Sequence, residues 1–374
     1  METDSIVDVD RAFLRAEGPP ARDPLSGARI GIVDLFCGCG GMTLGAIEGA
    51  RREGRPAELQ LAVDVWPSAL EVVELTLGAA DRTCELDLAV ALGALAETER
   101  SSEQPLLEAG RGASLLLAGP PCQGHSALNN HTRHDDPKND LYLAVARVAR
   151  LLKPRAVIIE NVRGIGRDRR RAVERCTAAL GELDYRVASN TLDLHALGAP
   201  QRRTRHVLVA TRDWRFDFDG LESQPSRSVC WAIEDLDRID GRTIMDTASV
   251  PTAENQRRMN WLFENDEDNL PNSERPECHR SDHSYLSMYG RLRWDGPAQT
   301  ITSGFGSMGQ GRFVHPLSPR TLTPHEAARL QFLPDFVDFS LVEYRNELAT
   351  MIGNAAPPIM TAALVRALIE QDLL

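Results

Sequence analysis

Residues 30–41 read Ile-Gly-Ile-Val-Asp-Leu-Phe-Cys-Gly-Cys-Gly-Gly. An apolar run closes on Asp34 and a glycine cluster, and a helix-like stretch follows as far as Arg52. Such a strand–turn–helix lets a ligand approach the backbone closely, with the N–H groups of the helix aimed at it. A dinucleotide fingerprint would need glycine at position 43, where this chain has Thr43, so a nicotinamide site fits poorly. A glycine turn serving only strand–helix packing is the competing reading of this stretch alone.

Working outward, the same rhythm repeats. Leu59–Val63 reads as a second strand and Pro67–Leu77 as a helix with proline in its first turn. Ser114–Ala118, Ala156–Ile159, Tyr185–Leu192 and Val207–Ala210 read as further strands, with helices over Asp140–Leu152 and Arg167–Leu183. Strands alternating with helices predict a doubly wound, mainly parallel α/β sheet with helices on both faces. After Thr211 the rhythm stops, and Asp213 to about Pro297 is rich in Asp, Asn, Pro and Trp. Regular structure returns at Thr323–Leu333 and at Pro358–Leu373. The expected organisation is an arm without fixed structure over 1–28, a catalytic domain over 29–212, a small irregular domain over 213–322, and a segment over 323–374 that completes the catalytic domain.

Composition is that of a globular protein: 42% hydrophobic and 26% charged residues in a chain of 374. No secretory signal is visible at the N-terminus, and no apolar run reaches the ~20 residues of a membrane span. Seven cysteines without a framework pattern suit a reducing cytoplasm. Cys37-x-Cys39 has the wrong spacing for a zinc clip, and Cys278-His279 with His283 lacks a second ligand pair, so no metal is expected. The net charge of −12 argues against a nucleic-acid partner, but its distribution does not. Residues 150–215 carry 15 basic and 7 acidic side chains, a balance of +8, and phosphate binding depends on the local field.

Several constellations carry chemistry. Asp64 ends the second strand, where it could take two ribose hydroxyls; Asp87, after the third, could accept from an adenine amino group. Pro120-Pro121-Cys122-Gln123-Gly-His-Ser126 follows a strand at the sheet edge where ligands bind in such folds. Cys122 is a candidate nucleophile there, against the alternative of a buried cysteine acting as a small hydrophobe. Glu160-Asn161-Val162 ends the next strand, where a carboxylate is costly unless paired or used. In Gln201-Arg-Arg203-Thr-Arg205, alternation puts Arg203 and Arg205 on one side, aimed at one ligand; a solvated basic edge is the competing reading. Arg167–Arg171 reads as a solvated or phosphate-facing patch rather than a catalytic one.

Order decides among these readings. Asp-Leu-Phe-x-Gly-x-Gly-Gly, Pro-Cys-Gln, Glu-Asn-Val, Gln-x-Arg-x-Arg and Gly353-Asn354 with Pro357, in that sequence, resemble the cytosine-5 DNA methyltransferase family from about Arg29 to Leu374, excluding most of 213–297. The resemblance implies a Rossmann-like methyltransferase sheet using S-adenosyl-L-methionine, with double-stranded DNA as substrate. Carbon 5 of cytosine is too weak a nucleophile to attack a sulfonium methyl, and thiolate addition at carbon 6 by Cys122 makes it an enamine. Glu160 serves ring nitrogen 3, Arg205 the exocyclic oxygen, and Arg203 supports the site. The base must be flipped out of the duplex, and the loop after Cys122, with Gln123 and Ser126 as DNA contacts, closes over it.

Matching residue by residue, the resemblance implies cofactor contacts from Phe36, Cys37, Gly38 and Gly41 of the glycine turn. Asp64, Val65 and Asp87 follow, then Pro121, Leu141, Asn354 and Ala355. Three positions depart from the family pattern: Val65 replaces an aromatic residue, His125 a phenylalanine and Leu128 a serine. The domain within 213–322 is expected to recognise the target sequence, with Arg257, Arg258, Arg280, Arg291 and Arg293 as DNA-reading candidates. A functionally paired restriction or phage-defence system is the expected partner, without a membrane. The alternatives are an RNA methyltransferase of the same mechanism and a non-catalytic DNA-binding regulator. The first carries a Cys-Phe-Thr tripeptide absent here, and the presence of Cys122, Glu160 and Arg205 together argues against the second.

Overall fold

The computed structural model describes residues 5–19, 26–88, 104–121, 141–236, 243–280 and 288–374. They divide into two compact units, each assembled from three stretches of chain.

The larger unit comprises residues 21–197, 204–223 and 356–374. Its centre is a seven-stranded sheet in the order β3-β2-β1-β4-β5-β8-β6. The strands are β1 (Ile30–Leu35), β2 (Ala57–Asp64), β3 (Thr83–Glu85), β4 (Leu115–Ala118), β5 (Ala156–Val162), β6 (Arg186–Asp193) and β8 (Thr204–Thr211). β1 to β5 pair in parallel, whereas β8 runs antiparallel to both β5 and β6. Every residue of β1 and β4 is buried, as expected for parallel strands covered on both faces. The chain winds outward from β1 to β3 and returns to β4 on β1's other side, so a switch point lies beyond the carboxyl ends of β1 and β4. Helices α2 (Gly41–Arg52), α3 (Pro67–Leu77), α4 (Gln104–Ala109), α5 (Leu141–Leu152) and α6 (Ala172–Gly181) are the crossovers and flanks.

Helix α2 shows why its glycines are there. Gly41, Gly45 and Gly49 lie four apart on one face. A Cβ on them would come within 2.3 Å of the Ala356 carbonyl oxygen, 2.1 Å of that of Pro358 and 2.6 Å of that of Ala362. The C-terminal helix, numbered α11 below (Pro358–Glu370), therefore seats its backbone directly on α2.

The smaller unit comprises residues 1–20, 198–203 and 224–355. It contains α1 (Ile6–Leu14), a two-stranded ribbon of β7 (Gln201–Arg202) and β9 (Ala298–Gln299), and helices α7 (Val229–Ile233), α8 (Ala253–Glu264), α9 (Pro324–Leu330) and α10 (Arg345–Asn354). Residues 6–14 thus form a helix where the sequence predicts an unstructured arm. Ser5 caps it by accepting from the Asp8 amide. Phe13 stacks on Phe332, and buried Asp10 pairs with buried Arg227, whose guanidinium lies 4.8 Å from the Trp231 ring centroid. One acid of this segment is therefore used inside the smaller unit.

The returning segment also divides differently from expectation: residues 323–355 cluster with the smaller unit and only 356–374 with the sheet. Arg345–Glu370 is long and apolar enough to cross a membrane by length and composition, a stretch the sequence reading did not single out. Its most apolar window is 72% buried in protein, and Ala355–Pro357 breaks it into α10 and α11.

Candidate active site

At the carboxyl end of β1 the chain turns through left-handed backbone at Phe36 (φ 57°), Gly38 (φ 52°) and Gly40 (φ 82°), then enters α2 at Gly41. Glycine relieves the strain at two of these three positions. The turn is fastened to β2: the Gly38 amide donates to Asp64 Oδ2 at 2.9 Å, and the Val65 and Trp66 amides donate to Asp64 Oδ1 at 2.8 and 3.1 Å. Asp64 therefore links the two strand ends, and each carboxylate oxygen has two lone pairs, so Oδ2 keeps acceptor capacity. Val65 and Asp87 are exposed beside it.

Beneath the turn, Asp34 is wholly buried; Thr43 Oγ1 donates to its Oδ2 at 2.6 Å. Burial raises its carboxyl from 3.8 to about 7, against the lowering effect of the Thr43 hydrogen bond. The same burial pushes Cys37 well above the usual thiol range, and Cys39 and Cys176 up to about 12. These three thiols stay protonated and unreactive near neutrality.

β4 ends at Ala118 and leads through Gly119 and Pro120 to Pro121, the last described residue before Cys122. Cys122, Gln123 and Ser126 lie outside the described residues. The approach to Cys122 is held from the next strand, where buried Asn161 donates from Nδ2 to the Pro120 carbonyl at 3.1 Å. Sequence reading took Asn161 only as a motif letter; a buried amide side chain next to a strand-end carboxylate was the available signal.

One residue earlier, Glu160 Oε1 meets Arg205 Nε at 2.7 Å, with both side chains nearly buried at 13% and 12% exposure. The sheet makes this pair: β8 runs antiparallel beside β5, setting Arg205 opposite Val162 and Val207 opposite Glu160. A charge-assisted contact at this depth fixes the orientation of both groups.

Arg203 belongs to the smaller unit and is buried. Its guanidinium donates to the Ile301 carbonyl (3.0 Å), the Ala355 carbonyl (3.2 Å) and Gln331 Oε1 (3.3 Å), all within the smaller unit. Gln331 also accepts from Gln201 Nε2 at 2.7 Å and donates to the Ile352 and Gly353 carbonyls at 2.7 and 3.1 Å. Gln201, Arg203 and Gln331 thus form a buried polar staple on the end of α10, where Ala355 is buried and Asn354 exposed. Gln331 was missed because nothing local marks it; its side-chain partners come from two distant stretches of chain, Gln201 with Arg203 and Ile352 with Gly353. Leu141 opens α5 and is half-buried.

The five arginines expected to read DNA are largely engaged with neighbouring carboxylates or carbonyls. Arg258 is buried, donating to the Glu274 carbonyl and Asn255 and pairing with Glu254. Arg291 pairs with Asp266 and Asp268 and lies over the Phe263 ring. Both guanidinium groups are thus engaged within the smaller unit. Arg257 pairs with Glu254 and Glu274 at half exposure, and Arg280 is exposed with Nε on the Arg275 carbonyl. Arg293 is the most exposed of the four whose exposure is given, at 78%, with Asp268 3.7 Å away.

Residues 30–370 match the family model for C-5 cytosine-specific DNA methylases. The chain is 42% identical to the Type II methyltransferase M1.BsuMI of Bacillus subtilis (strain 168) over 355 residues, covering 93% of this chain and 82% of that one. It is 27% identical to the Type II methylase M.HgiDII of Herpetosiphon aurantiacus, covering 90% and 94% of the two chains. Among solved structures, the S. pombe Dnmt2 methyltransferase superposes with a TM-score of 0.60 over 92% of this chain and 100% of that one at 16% identity, a likeness of fold. The sheet order, the strand-end motifs and the match over nearly the whole sequence agree: the chain belongs to the C-5 cytosine-specific DNA methylase family and is a DNA (cytosine-5)-methyltransferase.

Proposed function

We propose that this enzyme methylates carbon 5 of a cytosine flipped out of double-stranded DNA, with Cys122 as nucleophile and S-adenosyl-L-methionine as donor. The observation that carries the reading is the convergence of two strand ends: β4 delivers Pro120-Pro121, held by Asn161, directly before Cys122, while β5 and β8 present the Glu160–Arg205 pair.

Cys122 adds through sulfur to carbon 6 of the base, and the electron pair of the 5,6 double bond moves toward carbon 5. Glu160 delivers a proton to ring nitrogen 3, which neutralises the charge that addition creates; such help is typically worth ~10²- to 10⁴-fold. Arg205 holds Glu160 in place and donates to the exocyclic oxygen. S-adenosyl-L-methionine, when bound, supplies an electrophilic methyl group. After transfer, nitrogen 3 returns its proton to Glu160, and loss of the carbon-5 proton to water expels the Cys122 thiolate and restores the ring.

The donor set at the switch point suits an adenosine. Asp64 keeps acceptor capacity for ribose hydroxyls beside the glycine turn, exposed Asp87 stands beyond β3 for the adenine amino group, and exposed Val65 offers an aliphatic surface where stacking would be weak. Phe36, Cys37, Gly38 and Gly41 would line it, with Pro121, Leu141, Asn354 and Ala355 as further contacts. The domain within 213–322 would choose the target sequence, Arg293, Arg257 and Arg280 remaining as DNA-reading candidates. The setting is cytoplasmic, alongside a restriction or phage-defence partner, as the Type II names of the relatives suggest.

Duplex DNA carrying 5-fluorocytosine at the target tests the reading. Fluorine blocks loss of the carbon-5 substituent, so an adduct at Cys122 that survives denaturation is expected, and none with Cys122→Ala. An adduct mapped by mass spectrometry to another residue overturns the mechanism.

A further inference from the structure

Directly after Glu160, Asn161 and Val162 the chain makes a short 3-10 turn, Arg163–Arg167, then a tight loop into α6. Arg163, Arg167, Arg169, Arg171 and Arg175 are all exposed along this run. The protein carries a net charge of −12, so this concentration stands against its surroundings. Two acids, Asp168 and Glu174, lie within the run. Asp168 is buried at 7% exposure, and its Oδ2 accepts from the Ala172 amide at 2.9 Å. Glu174 lies 4.0 Å from Arg171 with both side chains well exposed, where ion pairs are worth little.

The backbone under these arginines is fixed. The Asp168 amide donates to the Ile165 carbonyl at 3.0 Å, the Arg171 amide to the Asp168 carbonyl at 3.1 Å, and Ile165 is buried as an anchor. Arg171 itself sits in left-handed backbone (φ 54°), the bend that starts α6. A rigid loop presenting several guanidinium groups outward, with its one buried acid turned inward, matches a row of phosphates. Its place in the chain, three residues past the carboxylate assigned to the flipped base, puts that row beside the reacting strand.

We propose that the Arg163–Arg175 run is a phosphate-backbone surface for the substrate duplex, gripping it next to the flipped cytosine without reading sequence. This rests on the function proposed above. Each phosphate contact releases counterions, so its loss flattens the salt dependence of binding by about one unit of log–log slope. The variant R167A/R169A/R171A is therefore expected to raise KM for DNA on the order of tenfold near 0.1 M salt and to lower the slope by about two to three, alike for cognate and non-cognate duplexes. Replacing the same three residues by lysine should restore most of the slope, because charge rather than fold is at stake. Binding of S-adenosyl-L-methionine, measured by calorimetry, should be the same in all three proteins.

If the alanine variant keeps the wild-type KM and slope, the surface assignment fails while the catalytic reading stands. If the lysine variant is as impaired as the alanine one, the loop acts through the fold and the assignment fails as well. A wild-type protein that neither binds nor methylates duplex DNA would remove both.

Discussion

Replacing Gly45 by alanine tests the packing of α11 on α2. The new Cβ would lie 2.1 Å from the Pro358 carbonyl oxygen and 2.9 Å from its carbon, where real Cβ contacts do not fall below 3.0 Å. One backbone must retreat by about 1 Å, and neither is a flexible side chain; overpacking of this kind costs typically 1–3 kcal/mol, and a backbone clash belongs at the upper end. Alanine recovers up to about 1 kcal/mol of helix propensity over glycine. The net expectation is a loss of about 2 kcal/mol, or about 2.5 °C in melting midpoint for a chain of 374 residues. Gly181→Ala is the matched control: Gly181 closes α6 with nothing within 4 Å of its Cβ position, so stability should rise by about 0.5–1 kcal/mol. Differential scanning fluorimetry, backed by urea midpoints, distinguishes the two. A Gly45→Ala protein as stable as wild type would refute the reasoning, because the helices would then have room that the structure denies them.

Asp34→Asn should change how stability depends on pH. Asp34 holds its proton up to about 7 when folded but releases it near 4 when unfolded, so the folded state binds the extra proton between those values and stability falls as pH rises through that window. The full effect is about 4 kcal/mol at most, and the asparagine variant should gain on wild type between pH 5 and pH 8; a constant difference across that range would dismiss the buried acid. Gln331→Leu removes one acceptor each from Gln201 Nε2 and Arg203 Nη1 and the donor to the Ile352 and Gly353 carbonyls, of which Ile352 keeps the Ala355 amide. At about 1–3 kcal/mol per unsatisfied group, a loss of at least 3 kcal/mol is expected by urea denaturation, with weaker S-adenosyl-L-methionine binding, and an unchanged midpoint would show that the staple is dispensable.

The sequence made the strand ends legible because chemistry concentrates there: Asp34, Asp64, Pro121 and Glu160 each close a run of apolar residues. What stayed hidden depends on partners far away in the chain. Gly45 and Gly49 look like weak helix formers until α11 is laid against them. Arg258 and Arg291 look like candidates for a groove until Glu254, Asp266 and Asp268 fold beside them. The partners of Arg203 were equally hidden, because Ile301, Gln331 and Ala355 lie about 100 residues or more further along the chain. The helix at Ile6–Leu14 was readable from Ser5 and Asp8 as a capped start, a signal hidden among the scattered charges and the Gly-Pro-Pro of residues 1–28.

The seat of α11 on α2 also sets an order of events during synthesis. Helix α2 leaves the ribosome early, with its glycine face bare, and the helix that covers it is made only after the whole intervening chain. Until then the turn at Phe36–Gly41 stands on an element lacking one of its walls, and a nascent chain exposes a surface meant to be covered. Synthesis stalled before Pro358 should therefore yield a product prone to capture by chaperones and without a settled cofactor turn, so that methylating capacity arises late and all at once rather than growing with chain length.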